Sequence, residues 1–346
     1  MKIGVWSFYS NLFTKNKIFK LASSGLGDDD LYGLNKLSDF CIQNKVDLIT
    51  LDMVKNFDQL DKILVFDFPL PTKVQKYKDI YKKIIKFPRR KILVLHECEV
   101  IKPNNWEKKN HENWDKILTW NDEFIDNKKY FKLNMPPRKM NIVFKKVSFA
   151  SKRFSTMICS NKKIIHKKEL YSERNKCINY FEKNNLNDFD LYGYGWDKYS
   201  FPSNNLILNK LNRLNNIINI FKSNKKSWKG EIVSKKDVLP YYKYNFAYEN
   251  AFNISGYILE KILDSFIYEC VPIYLGAKNI QDHIPRNTFI DKRDFDSYET
   301  LYKYLKNLSE EDHKNYIKNI KKFLNSKEFY PFSVENYVST IFSVIK

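Results

Sequence analysis

Apolar residues in the first third of the chain follow two spacings in turn. Short continuous apolar runs predict strands, and apolar residues at helical spacing between them predict helices. Strands that alternate with helices are typical of a parallel sheet covered on both faces, so an α/β domain is expected. The predicted strands are Lys2–Phe8, Val46–Leu51, Ile63–Phe68 and Lys91–Leu95, and the predicted helices are Leu34–Gln43 and Val74–Ile85.

The same alternation resumes after a break at Met135–Met140, where two successive prolines exclude a helix interior or a central strand. We place the first domain at residues 1–145 and the second at 146–330, and expect 331–346 to form a helix that crosses back over the first domain. Two α/β halves of this size predict a ligand cleft between them. The second half has predicted strands Phe154–Cys159, Asp190–Tyr194, Asn245–Tyr248 and Pro272–Leu275, and predicted helices Lys168–Asn184 and Tyr257–Tyr268.

Two further segments have helical patterns. Ser309–Asp312 has the spacing of a capping box and predicts a helix start. Asn204–Asn224 is rich in Asn, and its apolar residues predict an amphipathic helix. Packing of that helix on its own domain is the first interpretation, and a dimer contact or an acceptor-side lid are the alternatives. The apolar seam consists of Ile207, Leu211, Leu214, Ile218 and Phe221.

Composition narrows the class of protein. The 346 residues are 43% hydrophobic and 29% charged, which is typical of a folded chain. A net charge of +20 either attracts anionic partners or reflects lysines spread along the whole chain. Five cysteines without a CxxC pair exclude a disulfide framework and a zinc site of known spacing. No run of about 18 apolar residues and no cleavage pattern are present, so we expect a cytoplasmic protein, with peripheral membrane association as an alternative.

The segment Tyr241–Asp294 is the most informative stretch for chemistry. A predicted strand ends at Tyr248-Glu249-Asn250, and a loop with Ser255-Gly256 leads into a predicted helix. The start of a helix favours phosphate, because its N–H groups are unpaired and carry partial positive charge. Helical spacing places Tyr257, Glu260 and Lys261 on one side, which suits a nucleotide diphosphate: Lys for the phosphates and Glu for ribose hydroxyls. An ordinary surface helix is the alternative interpretation.

The same stretch resembles the signature of the alpha-1,3/1,4-fucosyltransferase family, glycosyltransferase family 10. The matching motifs occur in the family's order over about fifty residues. Upstream, Ser160-Asn161, Arg174 and the run Phe189–Trp196 also resemble the family. The signature motifs are Tyr242-Lys243-Tyr244, Tyr248-Glu249-Asn250, Gly256-Tyr257-Ile258-Leu259-Glu260-Lys261, Val271-Pro272-Ile273-Tyr274-Leu275-Gly276, Pro285-Arg286-Asn287-Thr288-Phe289-Ile290 and Asp294-Phe295.

The resemblance implies a GT-B fold, in which two Rossmann-like domains face a cleft and the second binds GDP-fucose. Carried over by position, Arg174 and Lys261 would contact the diphosphate. Tyr257 and Glu260 would contact the nucleotide sugar, and Glu249 and Asn250 would lie against the donor. The implied reaction is the transfer of L-fucose from GDP-beta-L-fucose, with inversion, to a glycan hydroxyl, with O3 of N-acetylglucosamine as the family expectation.

An inverting transfer needs a carboxylate that takes the acceptor proton. The resemblance places this base after an early strand and before a proline, where Glu97 and Glu99 precede Pro103. We prefer Glu97 because it lies nearer the strand end, and a base elsewhere stays open.

Two short triplets, Asp188-Phe189-Asp190 and Asp294-Phe295-Asp296, match the DxD pattern of metal-dependent transferases. Such triplets are common by chance, so we expect no metal and no cofactor. Arg174, Lys261 and the helix end would stabilise the departing GDP instead.

The expected partners are GDP-fucose and an oligosaccharide or glycolipid acceptor, with a homodimer and weak membrane association left open. A GT-B transferase that uses another nucleotide sugar is the first alternative. A basic nucleic-acid-binding protein is the second, but the concentrated basic stripe or known module that it requires is not visible, so we expect no nucleic acid.

Overall fold

The computed structural model describes residues 1–7, 14–21, 23, 28–70, 75–135, 139–140, 144–218 and 221–346. Its contacts divide the chain into two compact units. Unit 1 comprises Met1–Lys139, Ser255–Tyr257 and Tyr330–Lys346, and unit 2 comprises Met140–Ile254 and Ile258–Phe329. Parts of four sequence predictions lie outside the described residues, namely Phe8, Val74, the proline pair Pro136-Pro137, and Asn219 and Ile220 in the stretch Asn204–Asn224.

Unit 1 is built on a six-stranded sheet in the order β2-β1-β3-β4-β5-β6. Every neighbouring pair of strands is parallel, because each strand returns to the same edge through a crossover connection. The predicted parallel α/β architecture is confirmed. The elements are β1 (Lys2–Ser7), α1 (Tyr32–Gln43), β2 (Asp47–Thr50), β3 (Lys62–Phe66), α2 (Gln75–Lys86), β4 (Arg90–Leu95), β5 (Lys116–Thr119) and β6 (Tyr130–Lys132).

The last helix of the chain, α8 (Val334–Ile345), belongs to unit 1. Ile341 and Ile345 are fully buried in the same apolar cluster as β1, β3 and β4. The ring of Phe342 meets that of Phe40 on α1 edge-on, with centroids 5.0 Å apart. The Lys62 ammonium donates to the carbonyl of Ile345 at 2.7 Å, where the last carbonyls of a helix lack partners. The helix is therefore part of the hydrophobic core of this unit.

Unit 2 contains a five-stranded parallel sheet in the order β11-β10-β9-β7-β8. Aromatic residues fill much of its core, and Phe181 stacks on Phe189 with centroids 4.8 Å apart. The elements are β7 (Arg153–Ile158), α3 (Tyr171–Asn184), β8 (Phe189–Tyr192), α4 (Leu206–Ile218), β9 (Tyr242–Tyr248), α5 (Glu260–Ile267), β10 (Val271–Leu275), β11 (Ile290–Asp291), α6 (Tyr298–Asn307) and α7 (Glu310–Leu324).

The strand order of unit 2 reverses between β7 and β9. From β7 the chain first adds β8 on one side, then returns to add β9, β10 and β11 on the other. In open parallel sheets, ligands bind outside the carboxyl ends of the strands at such a reversal. The residues after β7 and β9, Cys159–Asn161 and Glu249–Asn250, lie at this position.

The predicted helix Tyr257–Tyr268 requires a correction. It begins at Glu260, because the residue before it, Leu259, is extended with a ψ of −169° and cannot belong to a right-handed helix. Asp264 and Tyr268, which helical spacing places on the same side as Glu260 and Lys261, are buried. The carboxylate of Asp264 forms an ion pair with Lys235, a tertiary partner that helical periodicity does not reveal.

The capping box before α7 is confirmed. The hydroxyl of Ser309 accepts from the N–H of Asp312 at 3.1 Å, and the Asp312 carboxylate accepts from the N–H of Ser309 at 2.9 Å. This reciprocal arrangement satisfies N–H groups that have no partner within the helix, and it is readable from sequence because it is entirely local.

Candidate functional site

Two chain segments meet at the carboxyl end of β9 in unit 2. The N–H of Leu170 donates to the carbonyl of Asn250 at 3.1 Å, and the N–H of Phe252 donates to the carbonyl of Lys168 at 2.9 Å. These bonds hold the start of α3 beside the loop that follows β9. Arg174, in the first turns of α3, is thereby brought to the end of that strand.

Arg174 cross-links this region through its guanidinium. Its Nη2 donates to the carbonyls of Tyr248 at 2.8 Å and Glu249 at 2.6 Å, and to Oδ1 of Asn250 at 3.0 Å. The side chain is 4% exposed. Hydrogen bonds from a charged donor are stronger than neutral ones, so the guanidinium fixes the backbone on which Glu249 and Asn250 stand.

Glu249 and Lys261 form a buried ion pair. The carboxylate of Glu249, which is 0% exposed, accepts from the N–H of Leu259 at 2.8 Å and lies 3.4 Å from the Lys261 ammonium. The same ammonium is 3.4 Å from a carboxylate oxygen of Glu260. The first N–H before α5 is therefore already bonded to Glu249. The cation of Lys261 stands between two carboxylates.

The electrostatics of this cluster follow from its burial. Burial raises the pKa of Glu249 to about 7, although the Lys261 cation opposes the change. Burial would lower the pKa of Lys261, but the carboxylates of Glu260 and Glu249 outweigh it, so its pKa is raised. Lys261 is thus a permanent cation at neutral pH. A fixed positive charge of this kind can stabilise negative charge that develops on a leaving diphosphate.

Two glycines near the site have roles that sequence reasoning missed. A Cβ on Gly276 would lie 2.5 Å from Cγ of Glu249, and a Cβ on Gly193 would lie 2.2 Å from the carbonyl oxygen of Cys159. Both glycines allow close approach at the carboxyl ends of the strands. Gly276 is the last residue of the Val271–Gly276 motif, so that motif was the sequence signal that could have indicated the role of Gly276.

In unit 1, Glu97 follows directly after β4. The carboxylate of Asp67, at the end of β3, accepts from the N–H groups of His96 at 2.8 Å and Glu97 at 3.0 Å. The carbonyl of Glu97 accepts from the indole of Trp106 at 3.0 Å and the amide of Asn105 at 3.1 Å. The backbone of Glu97 is therefore held on both sides.

The surroundings of Glu97 are buried and charged. Burial lowers the pKa of Lys102 to about 8, although Asp67 and Glu97 oppose the change. Burial also lowers the pKa of His96, which keeps its ring neutral at pH 7. Asp67 has a φ of +62°, a conformation that non-glycine residues adopt rarely and that Asp tolerates better than most. No sequence pattern had indicated Asp67, Lys102 or Asn105.

Glu99 lies two residues further on, in a tight turn that the N–H of Lys102 closes on the carbonyl of Cys98 at 2.8 Å. The hydrogen bonds from the N–H groups of His96 and Glu97 to the Asp67 carboxylate, which we call the Asp67 clamp, hold the backbone of Glu97. The choice between the two carboxylates as base stays a prediction, and the Asp67 clamp is consistent with the preference for Glu97.

The periodicity predicts Tyr257 beside Glu260 on one helix, but Tyr257 lies before the start of α5. By its contacts Ser255–Tyr257 belongs to unit 1, where the ring of Tyr257 lies 4.7 Å from that of Trp120. Burial raises the pKa of the Cys98 thiol to about 11, and a hydrogen bond with Tyr257 opposes that rise. Tyr257 is 1% exposed, so its role at the nucleotide sugar stays a prediction.

Aspartates of both DxD triplets have protein partners. Asp190 is buried, accepts from the hydroxyl of Tyr242 at 2.7 Å and pairs with Arg153 at 2.5 Å. Asp294 pairs with Arg286. Among the residues that the structure describes, no group of three or more His, Cys, Asp or Glu side chains could hold a metal ion. Whether the chemistry needs a metal stays a prediction.

Five of the eight predicted site residues come together in unit 2: Arg174, Glu249, Asn250, Glu260 and Lys261. Glu97, Glu99 and Tyr257 lie in unit 1. The unit 2 cluster stands at the strand-order reversal and joins the partly buried Lys261 cation to the fully buried carboxylate of Glu249 and the partly exposed carboxylate of Glu260. It is an arrangement suited to binding an anionic leaving group.

Comparison with known families finds a match over residues 196–337, to "Glycosyltransferase family 10 (fucosyltransferase) C-term". This range includes Glu249, Asn250, Tyr257, Glu260 and Lys261 and leaves out Arg174, Glu97 and Glu99.

Relatives match over short stretches of the chain. An alpha-(1,3)-fucosyltransferase of Helicobacter pylori is 31% identical over 84 residues, which are 24% of this chain and 17% of that protein. A mouse 4-galactosyl-N-acetylglucosaminide 3-alpha-L-fucosyltransferase 9 is 37% identical over 82 residues, 22% of this chain and 23% of that protein. The chain thus spans less than a quarter of the length of these relatives.

Solved structures match over the whole chain. An alpha1,3-fucosyltransferase crystallised with GDP-fucose has a TM-score of 0.55 at 13% identity, over 100% of this chain and 90% of that one. The Anabaena protein Alr3699/HepE with UDP-glucose has a TM-score of 0.56 at 10% identity, over 100% and 99%. At these identities the likeness is one of fold, and it confirms the predicted GT-B class.

Proposed function

With residues 196–337 identified as a glycosyltransferase family 10 (fucosyltransferase) C-terminal domain, we propose that this protein transfers L-fucose from GDP-beta-L-fucose to a hydroxyl of a glycan acceptor. The observation that supports this most is the buried cluster of Arg174, Glu249 and Lys261 at the strand-order reversal of unit 2. A nucleotide diphosphate is the ligand class that such a position and such a cation suit.

In the proposed reaction, the Glu97 carboxylate removes the proton of the acceptor hydroxyl while the acceptor oxygen attacks the fucose anomeric carbon. The bond from that carbon to the diphosphate oxygen breaks, and GDP leaves with the electron pair. Attack from the face opposite the leaving group turns a beta-linked donor into an alpha-linked product. Lys261 and Arg174 stabilise the departing diphosphate, so the proposal requires no metal and no cofactor.

The first test is calorimetric binding of GDP and GDP-fucose, with EDTA present, to wild type and Lys261→Ala. Loss of a charge-assisted contact to the diphosphate is expected to weaken binding by about ten- to a hundredfold. Lys303→Ala is the matched control, because Lys303 pairs with Glu299 on an exposed helix face and should leave affinity unchanged.

Lys261→Ala also leaves Glu249 buried without its cation, so thermal unfolding must accompany the binding data. The double variant Lys261→Met with Glu249→Gln removes both charges and preserves side-chain volume. Weak GDP binding in a well-folded double variant supports a direct phosphate contact. Wild type that binds neither ligand, or that prefers a UDP-sugar, contradicts the fucose donor.

Glu97→Gln tests the base and, with it, the acceptor side of the proposal. It is expected to retain GDP-fucose binding and to lose transfer by at least about a hundredfold, since general base catalysis contributes that much. Glu99→Gln is the matched control in the same turn. Equal loss in both variants, or loss in Glu99→Gln alone, would contradict the assignment of Glu97.

The proposed acceptor position is O3 of N-acetylglucosamine in a lactosamine-type oligosaccharide or glycolipid. Nuclear magnetic resonance of the product identifies both the linkage position and the anomeric configuration. The five cysteines are free and buried, which suits the reducing cytoplasm that we propose as the place of the reaction.

A further inference from the structure

The helix α4 presents its apolar side to solvent. With 3.6 residues per turn, six exposed side chains fall within an arc of about 120°, and five of them are apolar. Ile207 and Ile217 are 73% and 81% exposed, and Leu206 is 84% exposed. The six residues, which we call the α4 face, are Leu206, Ile207, Lys210, Leu214, Ile217 and Ile218.

This arrangement corrects the prediction that the apolar seam packs on its own domain. Asparagines occupy much of the inward side instead. The side chain of Asn212 accepts from the N–H of Phe201 and donates to its carbonyl, each at 2.8 Å. Asn215, which is buried, donates to the carbonyls of Tyr199 and Phe221 and accepts from the N–H of Phe221. The helix is therefore anchored by its polar side, and the α4 face is left outward.

The charged residues of the segment that contains α4 are all basic, and two of them, Lys225 and Lys229, pair with the acids Glu182 and Asp190 elsewhere in unit 2. From Lys198 to Gly230 the sequence holds seven Lys and Arg residues and no Asp or Glu. The N–H of Tyr199 donates to the carbonyl of Phe221 at 2.8 Å, which holds the basic stretch after α4 against the stretch before it. Five of the basic side chains are exposed, namely Lys210, Arg213, Lys222, Lys226 and Lys229, and the last of these pairs with Asp190.

We propose that the α4 face docks this protein on an anionic lipid membrane, with the helix lying in the headgroup region. Helices that combine a solvent-facing apolar side with Lys and Arg bind such surfaces through apolar burial and attraction to acidic headgroups. Pairing of two copies through this face would bring two acid-free basic segments together, which like-charge repulsion disfavours. A nucleic acid would satisfy the charges and leave the apolar side chains in water.

Docking in this manner places the protein on one leaflet. Among the described residues, no helix is long and apolar enough to span a bilayer. The proposal concerns a surface remote in sequence from Glu249–Lys261 and stands whichever nucleotide sugar the protein uses.

The test is flotation of the full chain with vesicles of phosphatidylcholine and phosphatidylserine, compared with phosphatidylcholine alone. Wild type is expected to float with the acidic vesicles, less so as salt rises. Ile207→Ser with Ile217→Ser should lower the partition coefficient about tenfold or more. Ile42→Ser with Val233→Ser, which changes two equally exposed apolar residues elsewhere, is the matched control and should not alter it.

A second variant keeps the test decisive if the serine variant unfolds. Lys210→Glu with Arg213→Glu retains most of the apolar face and should abolish the preference for acidic vesicles. Circular dichroism and thermal unfolding check the fold of each variant. Wild type that does not float, a control variant that loses binding equally, or a wild-type dimer that dissociates in the serine variant would each overturn membrane docking.

Discussion

The residues that matter most for the proposed chemistry are held by contacts that sequence spacing does not reveal. Glu249 and Lys261 are twelve positions apart, and Arg174 is a further 75 positions from Glu249. Their meeting depends on α3 and the loop after β9 being bonded side by side. The residue types and motifs were predictable, and so was their grouping by resemblance. The burial that raises the pKa of Glu249 could not be predicted from the sequence.

Asp67 gives the clearest prediction at the scale of single residues. Asp67→Ala removes the acceptor for the N–H groups of His96 and Glu97, so we expect kcat to fall about tenfold or more while GDP affinity is unchanged. Stability should fall by about 1–3 kcal/mol, because buried donors lose their partner.

Asp67→Asn is the matched control. It keeps Oδ1 as an acceptor and tolerates the positive φ, so it should recover most of kcat. Steady-state kinetics and calorimetry of GDP binding separate the two effects. A variant Asp67→Ala that is merely less stable, with kcat intact, rules out a role of Asp67 in positioning Glu97.

At the scale of elements, helix starts were predicted well where the signal is local and poorly where it is tertiary. The capping box of α7 involves residues three apart. Before α5, Gly256 instead turns into the left-handed region against the carbonyl of Trp120, and Leu259 is extended, so the helix begins only at Glu260. For α4, periodicity identified the apolar side and could not tell whether it faces a core or solvent.

Gly256→Ala is expected to destabilise the protein by about 2–4 kcal/mol. The added Cβ would lie 2.3 Å from the Trp120 carbonyl oxygen, in addition to the strain of a positive φ. Gly195→Ala is matched for backbone, since Gly195 has a φ of +79° and its Cβ would meet only Asn161 at 3.9 Å. It should cost about 1–2 kcal/mol. Chemical denaturation measures both, and equal losses would show that crowding at Gly256 is unimportant.

At the scale of the whole molecule, stability sums contributions that respond to pH in opposite directions. Burial lowers the pKa of His313 to about 4. The stability that its neutral, buried ring contributes is therefore lost as pH falls from about 6.5 towards 4. Burial raises the pKa of Glu249 to about 7, so the folded state gains stability as pH falls from about 7 to 4.5.

Single substitutions should separate these two effects. Relative to His313→Gln, wild type is expected to lose up to about 3 kcal/mol as the pH is lowered through 6.5 to 4. Relative to Glu249→Gln, wild type should gain by a similar amount between about pH 7 and 4.5. Unfolding free energies measured across this range provide the comparison. Parallel curves for wild type and either variant would show that the group does not titrate differently on folding.

The sequence by itself determined the parallel α/β class, the motifs that resemble glycosyltransferase family 10, the capping box and the apolar side of α4. These follow from spacing along the chain, where period, local bonding and residue type act together. The tertiary structure decided which side chains contact one another and which are exposed to solvent. It assigned Tyr257 to unit 1, made Gly276 a close neighbour of Glu249, gave Glu97 the Asp67 clamp and turned the α4 face outward. Each of these depends on burial and on partners distant in sequence, which periodicity cannot carry.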